Sequence, residues 1–121
     1  MKGLAARRMA AAPRPAPTAA DRDAAHRKVP IHGDADYAGM RAAGRLAALT
    51  LDHVTPFVQP GGSTAELDRI IDAFMRQHGG IPATLGYKGY PKSCCISINH
   101  VVNHGIPSED KRLVPGDIAN I

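Results

Sequence analysis

The sequence predicts an α+β fold, two helices followed by antiparallel strands. Three observations carry that expectation. Apolar residues recur at intervals of three and four from Asp34 to Thr55 and again after Ser63. Glycine and proline clusters punctuate the ends of both stretches. Beyond Pro82 the pattern changes to short β-branched runs between turns. Helices and strands that are segregated along the chain, with no internal repeat, argue against a doubly wound sheet, in which they alternate.

The first helix is expected from Asp34 to Thr55. Met40, Ala43, Ala47, Leu51 and Val54 fall on one stripe. Asp34 or Asp36 can cap its start, and Pro56 ends it by pushing Thr55 out of the helical region. Gln59-Pro60-Gly61-Gly62 reads as a turn. Ser63-Thr64-Ala65-Glu66 then fits a capping box, in which hydroxyl and carboxylate each meet an unpaired backbone donor. Leu67, Ile70, Ile71 and Phe74 make the apolar stripe of this second helix, and Gly79-Gly80 supplies a left-handed stop. A short turn between two helices predicts an antiparallel pair, with Ala42, Ala43, Gly44, Ala47 and Ala48 allowing close approach.

Gly86, Gly89 and Pro91 mark a loop. In CCISINHVV, alternation places Cys94, Ile96, Ile98, His100 and Val102 on one face of a strand, and Cys95, Ser97, Asn99 and Val101 on the other. Val114-Pro115-Gly116-Asp117 is a turn into Ile118–Ile121, which starts as an apolar strand at the last residue. A domain usually finishes in polar, frayed residues, so the chain is expected to be the amino-terminal part of something longer.

Composition narrows the function classes. Of 121 residues 44% are hydrophobic but only 4% aromatic, with no Trp, so the core must be aliphatic. The net charge of +4 suggests a nucleic-acid binder until its distribution is considered. Residues 1–28 hold seven Lys/Arg against two Asp, whereas the rest holds eight basic residues against nine acidic ones. The basicity belongs to the tail, and the clustered cations and stacking aromatics of a nucleic-acid face are missing from the remainder. Residues 1–30 are expected to be a disordered Ala/Pro/Arg-rich tail, with residues 31–121 as the folded domain. A transit peptide would share the arginines, but it would be Ser-rich and helical, and Pro13, Pro15 and Pro17 forbid a helix. Cys94 and Cys95 are adjacent and have no spaced partner, which suits free thiols in a reducing cytoplasm. No apolar run approaches the roughly 18 residues that span a bilayer.

HVVNH places His100 and His104 at the spacing of a zinc-protease helix. On a helix such residues lie about 6 Å apart along the axis. On a strand they are about 13 Å apart, too far to share one ion. Val101-Val102 favours the strand, and the Glu expected after the first His is Val. His100 therefore reads as a hydrogen-bonded structural residue. His104 is followed by Gly105 and Pro107, a turn that can present its imidazole at the sheet edge.

LGYKGYPKS (Leu85–Ser93) and SINHVVNHGIP (Ser97–Pro107) resemble the segment by which type I methionine aminopeptidases are recognised. The resemblance runs upstream through MRAAGRLAALTLDHVTPFVQPGGSTAELDRI and downstream through LVPGDIANI, from about Ile31 to Ile121. It implies the amino-terminal half of a pita-bread fold. It also implies removal of the initiator methionine from nascent chains whose second residue is small, by water activated on two divalent metal ions (Co, Mn, Fe or Zn). His104 would contact the substrate and stabilise the tetrahedral intermediate. Tyr87, Tyr90 and Cys95, with Thr84 and Lys88, would line the methionine pocket, where aromatic and sulfur-bearing walls suit a thioether. The backbone carbonyls of Asn99 and Val101 match a monovalent-cation site.

Three positions depart from the family pattern. Thr84 stands where Cys is frequent, Lys88 where many members have His, and Asn103 where a Cys commonly precedes the catalytic His. The first metal ligand of the family follows the strand matched by Asn120-Ile121, so all five ligands are expected beyond this chain. Asp117 matches a turn residue and not a ligand. The chain alone is expected to bind no metal and to be inactive. The partners implied are nascent polypeptide N-termini, compatibly with proximity to the ribosome. A membrane and a specific nucleic acid are not implied, and a monomer is expected. Two rivals are a non-catalytic pita-bread binding module and a basic-tailed ribosome or nucleic-acid binder.

Overall fold

Helix α1 spans Asp34–Val54, as the apolar period predicts. The computed structural model describes residues 30–121. The tail expected over residues 1–30 therefore lies, apart from Pro30, outside the described residues. Two units divide the chain, Met1–Ala42 and Ala43–Ile121.

In the first unit, the start of α1 decides between the two candidate capping acids. The Asp36 carboxylate accepts a hydrogen bond from the Gly33 N–H at 3.2 Å, while the Asp36 N–H donates to the Gly33 carbonyl at 3.0 Å. Asp36 is thus the acid of the first turn that reaches back, as in a capping box, with Gly33 before the helix.

In the second unit, α1 continues to Val54, and Thr55–Phe57 forms a 3₁₀ turn around Pro56. Thr55 is therefore not expelled from helical structure. Its hydroxyl donates to the Leu51 carbonyl, and the ending is a tightening of the last turn. The predicted stripe needs a larger correction. Met40 and Leu51 are exposed, as are Ala43 and Ala47, and the buried residues of α1 are Thr50 and Val54. Only the carboxy-terminal end of the helix contributes to the core. The small residues from Ala42 to Ala48 are likewise exposed, so they do not mediate close helix approach. His53 instead stacks on Phe74 with ring centroids 4.2 Å apart.

Helix α2 spans Thr64–Gln77 and matches its sequence signals closely. Ser63 Oγ accepts from the Glu66 N–H at 3.1 Å. The second half of the predicted box, Glu66 carboxylate to Ser63 N–H, is not formed among the described residues, and the Ser63 hydroxyl itself donates to Glu109. The other first-turn donors are met by the chain that returns past the helix. Thr64 N–H donates to the Lys111 carbonyl at 2.9 Å and Ala65 N–H to the Ser108 carbonyl at 3.2 Å. These bonds satisfy donors that a helix start leaves open. Gly79, at φ 78°, ends α2 with its N–H on the Arg76 carbonyl.

Val54, Leu67, Ile71, Ile96, Ile98 and Leu113 form the core. Each such aliphatic side chain contributes roughly 1.5–3 kcal/mol when fully buried. The sheet is small. Strand β1, Ser97–Ile98, pairs antiparallel with β2, Ala119–Asn120, with Ser97 opposite Asn120 and Ile98 opposite Ala119. The long alternating strand expected over CCISINHVV is not formed. Ile96, Ser97 and Ile98 are buried in succession, and Asn99 turns the chain at φ 53°. The Ile98 carbonyl accepts from the Val101 N–H at 3.1 Å, a turn that ends the two-face pattern. Among the described residues, no helix is long and apolar enough to cross a membrane.

Candidate functional site

The segment from Thr84 to Pro107 is fastened to α2 by two carboxylates. Asp68, buried on the helix, accepts from the Ser93 N–H at 2.9 Å and the Cys94 N–H at 3.1 Å, and the Cys94 thiol lies 3.4 Å from the same oxygen. Burial first, then the Asp68 carboxylate, pushes the Cys94 thiol up to about 12. One turn along, Asp72 accepts from the Ser93 hydroxyl at 2.6 Å and from Arg76 at 2.8 Å. The arginine, followed by the serine, holds the Asp72 carboxyl below its ordinary value.

Before this anchor, residues 84–93 close on themselves. Thr84 Oγ1 donates to the Ser93 carbonyl at 2.6 Å, with the Lys92 carbonyl at 3.3 Å. The Gly86 N–H donates to the Tyr90 carbonyl and the Tyr90 N–H to the Tyr87 carbonyl. Tyr87 and Lys88 stand exposed at the tip, with the Lys88 ammonium 5.6 Å from the Tyr87 ring centroid. Thr84 thus acts at the base of the loop, and Tyr87 and Lys88 at its rim.

After the anchor, the chain brings three predicted residues together. Cys95 Sγ lies 3.9 Å from His104 Nδ1. The Tyr90 hydroxyl lies 3.0 Å from the Cys94 carbonyl and 3.3 Å from the Gly105 carbonyl. Burial, followed by the neighbouring Cys95 sulfur, pushes the Tyr90 phenol upward, so it remains a protonated donor. Gly105 is required where it stands. A Cβ would overlap the Ile96 carbonyl and lie 3.0 Å from Ser97 Cα. Its N–H donates to Ser97 Oγ at 3.1 Å and its carbonyl accepts from the Ile96 N–H at 2.8 Å.

The backbone marks the same residues. Among the described residues, the non-glycine positions with positive φ are Lys88, Asn99 and His104, at 48°, 53° and 54°. A left-handed non-glycine residue costs on the order of 1–2 kcal/mol, and such positions cluster where a side chain must be presented. All three are candidates on sequence grounds as well. Asn99 is held by a clasp: its amide donates to Asp117 at 2.7 Å and its side-chain oxygen accepts from the Ile118 N–H at 3.0 Å. Asp117 also accepts from the Val114 N–H, which, followed by the Asn99 amide, holds its carboxyl below the ordinary value. The Asp117 turn is therefore as expected. The Asn99–Val101 turn leaves the carbonyls of both residues without a hydrogen-bond donor among the described residues.

His100 differs from expectation. It is exposed at the turn after Ile98, and its ring makes no hydrogen bond among the described residues. The turn also invalidates the straight-strand spacing used to separate it from His104.

A divalent-metal centre does not fit these residues. Among the described residues no group of three or more His, Cys, Asp or Glu side chains could hold an ion. Four carboxylates of the second unit are engaged elsewhere: Asp68 and Asp72 on the Ser93 anchor, Asp117 in its clasp, and Glu109 on Arg69 and Ser63.

Sequence reasoning missed Asp68, Ser97 and the Tyr90 hydroxyl as organising groups. Asp68 carried a signal, because it lies beside Leu67 and three residues before Ile71, on the buried side of α2. Ser97 and the phenol carried none, since their partners are backbone atoms of another segment.

The model of Metallopeptidase family M24 matches residues 38–121. A methionine aminopeptidase of Rickettsia prowazekii is 54% identical over 93 residues, covering 77% of this chain and 36% of that protein. One of Escherichia coli is 56% identical over 87 residues, covering 71% of this chain and 33% of the relative. The chain therefore spans about a third of the length of the curated relatives it matches. The crystal structure of the Rickettsia enzyme superposes with a TM-score of 0.70 over 74% of this chain and 36% of that one. That of a methionine aminopeptidase of Thermotoga maritima gives 0.71 at 29% identity, with the same coverage of each chain.

Proposed function

Because the chain belongs to metallopeptidase family M24 and has the fold of the amino-terminal part of a pita-bread enzyme, we propose that it supplies the substrate side of a methionine aminopeptidase. The reaction is removal of an N-terminal initiator methionine that precedes a small residue. The observation that carries the reading is the grouping of Cys95, His104 and Tyr90 on a backbone forced left-handed at His104.

In this reading His104 donates a hydrogen bond to the scissile carbonyl oxygen as it gains negative charge, and a donor fixed before the reaction lowers the barrier most. Cys95 and the tyrosine rings hold the methionine side chain, whose thioether packs against sulfur and ring edges. The carbonyls of Asn99 and Val101 face a monovalent cation. Divalent-metal use comes with the family; two ions drawn from Co, Mn, Fe and Zn complete the proposal, with ligands outside the residues described. His104, Cys95 and the tyrosines act on the substrate directly and not through those ions. The folded domain is taken to begin at residue 31, and the setting is a cytoplasm in which nascent chains emerge.

Replacing the corresponding segment of the Rickettsia prowazekii enzyme by residues 38–121 tests the proposal. The chimera should release methionine from a Met-Ala-Ser peptide. His104→Ala in it should lower kcat by about 10²-fold or more, the usual loss of an oxyanion donor. A folded chimera without turnover, or one indifferent to His104→Ala, would refute the assignment.

A further inference from the structure

The Tyr90 hydroxyl joins the two segments on which the proposed site depends. Cys94 is held at its N–H by Asp68 and reached at its carbonyl by Tyr90. Gly105 is held at its N–H by Ser97, and its carbonyl receives both the Ile96 N–H and Tyr90. Cys95 follows the first of these residues, and His104 precedes the second. The imidazole and the thiol that meet at 3.9 Å are therefore adjacent in sequence to the two carbonyls facing one phenol.

We propose that Tyr90 is a positioning residue whose hydroxyl, by sharing its proton between the Cys94 and Gly105 carbonyls, sets the separation and orientation of Cys95 and His104. This role differs from that of its ring as a pocket wall. The proposal deepens the function proposed above and, for its catalytic part, rests on it.

Geometry separates the hydroxyl from other candidates. Ile96 and Ser97, which follow Cys95, already hold Gly105, and Cys94, which precedes it, is held to α2, but neither set of bonds ties Cys94 to Gly105 and so fixes Cys95 from both sides. A three-centre bond at 3.0 and 3.3 Å does so with one proton. The phenol remains a donor throughout the working pH range, because burial opposes its ionisation. Removing the oxygen leaves the ring and its packing in place, so a change in pocket shape and a change in positioning affect different observables.

The test is Tyr90→Phe, with Tyr37→Phe, on an exposed stretch of α1, as the control. In the 121-residue chain, the His104 ring resonances in a ¹H–¹³C spectrum should shift, and alkylation of Cys95 should change rate by about threefold or more, with far-UV circular dichroism unchanged. In the Rickettsia chimera kcat should fall about tenfold while KM stays within twofold, the signature of an interaction made in the transition state. Unchanged His104 resonances and Cys95 reactivity in a folded variant would overturn the proposal. A rise in KM at constant kcat would overturn it as well, since the hydroxyl would then serve binding. If the unsubstituted chimera turns over no peptide, the proposed function fails, and the resonances and the alkylation rate decide the positioning role by the same criteria.

Discussion

Helix α2 and the chain from Thr84 to Pro107 use their polar groups in opposite ways. On α2 and at its cap, Ser63, Thr64, Asp68 and Asp72 each hold backbone or side chains of another segment, and the helix itself has ordinary geometry. In the site segment the backbone departs from ordinary geometry at Lys88, Asn99 and His104, leaving the Tyr87, Lys88 and His104 side chains at the surface. A rigid element supplies the fastening, and a strained one supplies the presentation. Strain of this kind persists only when its surroundings over-determine it, so breaking the fastening should disturb the site more than relaxing the strain.

The largest effect is expected from Asp68→Ala. It strands the Ser93 and Cys94 N–H groups, and each unsatisfied buried donor costs about 1–3 kcal/mol. Urea denaturation should show a loss of roughly 4 kcal/mol, the sum over two such donors, and alkylation of Cys94 should accelerate. Gly105→Ala comes next. Its methyl meets the Ile96 backbone, which cannot swing aside as a side chain could, and a loss of about 3 kcal/mol is expected. Such a variant should also displace His104 in a ¹H–¹³C spectrum.

A pair of glycine substitutions sharpens the comparison. Asn99→Gly relieves strain but removes the bonds to Asp117 and Ile118, so a net loss of about 1–2 kcal/mol is expected. Lys88→Gly gives up only an exposed contact with the Tyr87 ring. Relief of left-handed strain should there outweigh the entropy of a new glycine, for a gain of a few tenths of a kcal/mol. Equal and opposite urea-midpoint shifts are not expected; the sign of each is the test.

Much of this division was legible in the residues. The start and stop of α2 follow from Ser63, Glu66 and Gly79, which act locally. GYPKS and HGIP mark the candidate site, and the three left-handed residues all fall among its candidates. The stripe of α1 was misjudged, because periodicity states which residues share a face and not which face is covered. The long strand was misjudged because Asn99 and Ser97 bond to groups remote in sequence, which override β-propensity. Asp68 is the clearest case, since a carboxylate on a buried helix face is explained only by the amides that come to meet it.

The smallest effect is the pH dependence of the fastening. The Asp72 carboxyl is held below its ordinary 3.8 in the folded chain by Arg76 and Ser93. The unfolded chain therefore binds the proton more readily. The stabilisation is present above that value and is lost as pH falls through and below it. A urea midpoint that declines between about pH 5 and pH 3, and declines less in Asp72→Asn, is the expected outcome.

Binding of a methionyl dipeptide tests the central claim most directly. With Met-Ala at millimolar concentration and Lys-Ala as the reference, the ring resonances of Tyr87, Tyr90 and His104 and the Cβ of Cys95 should move for Met-Ala alone. Equal shifts with both dipeptides, or shifts confined to residues outside Thr84–Pro107, would contradict it.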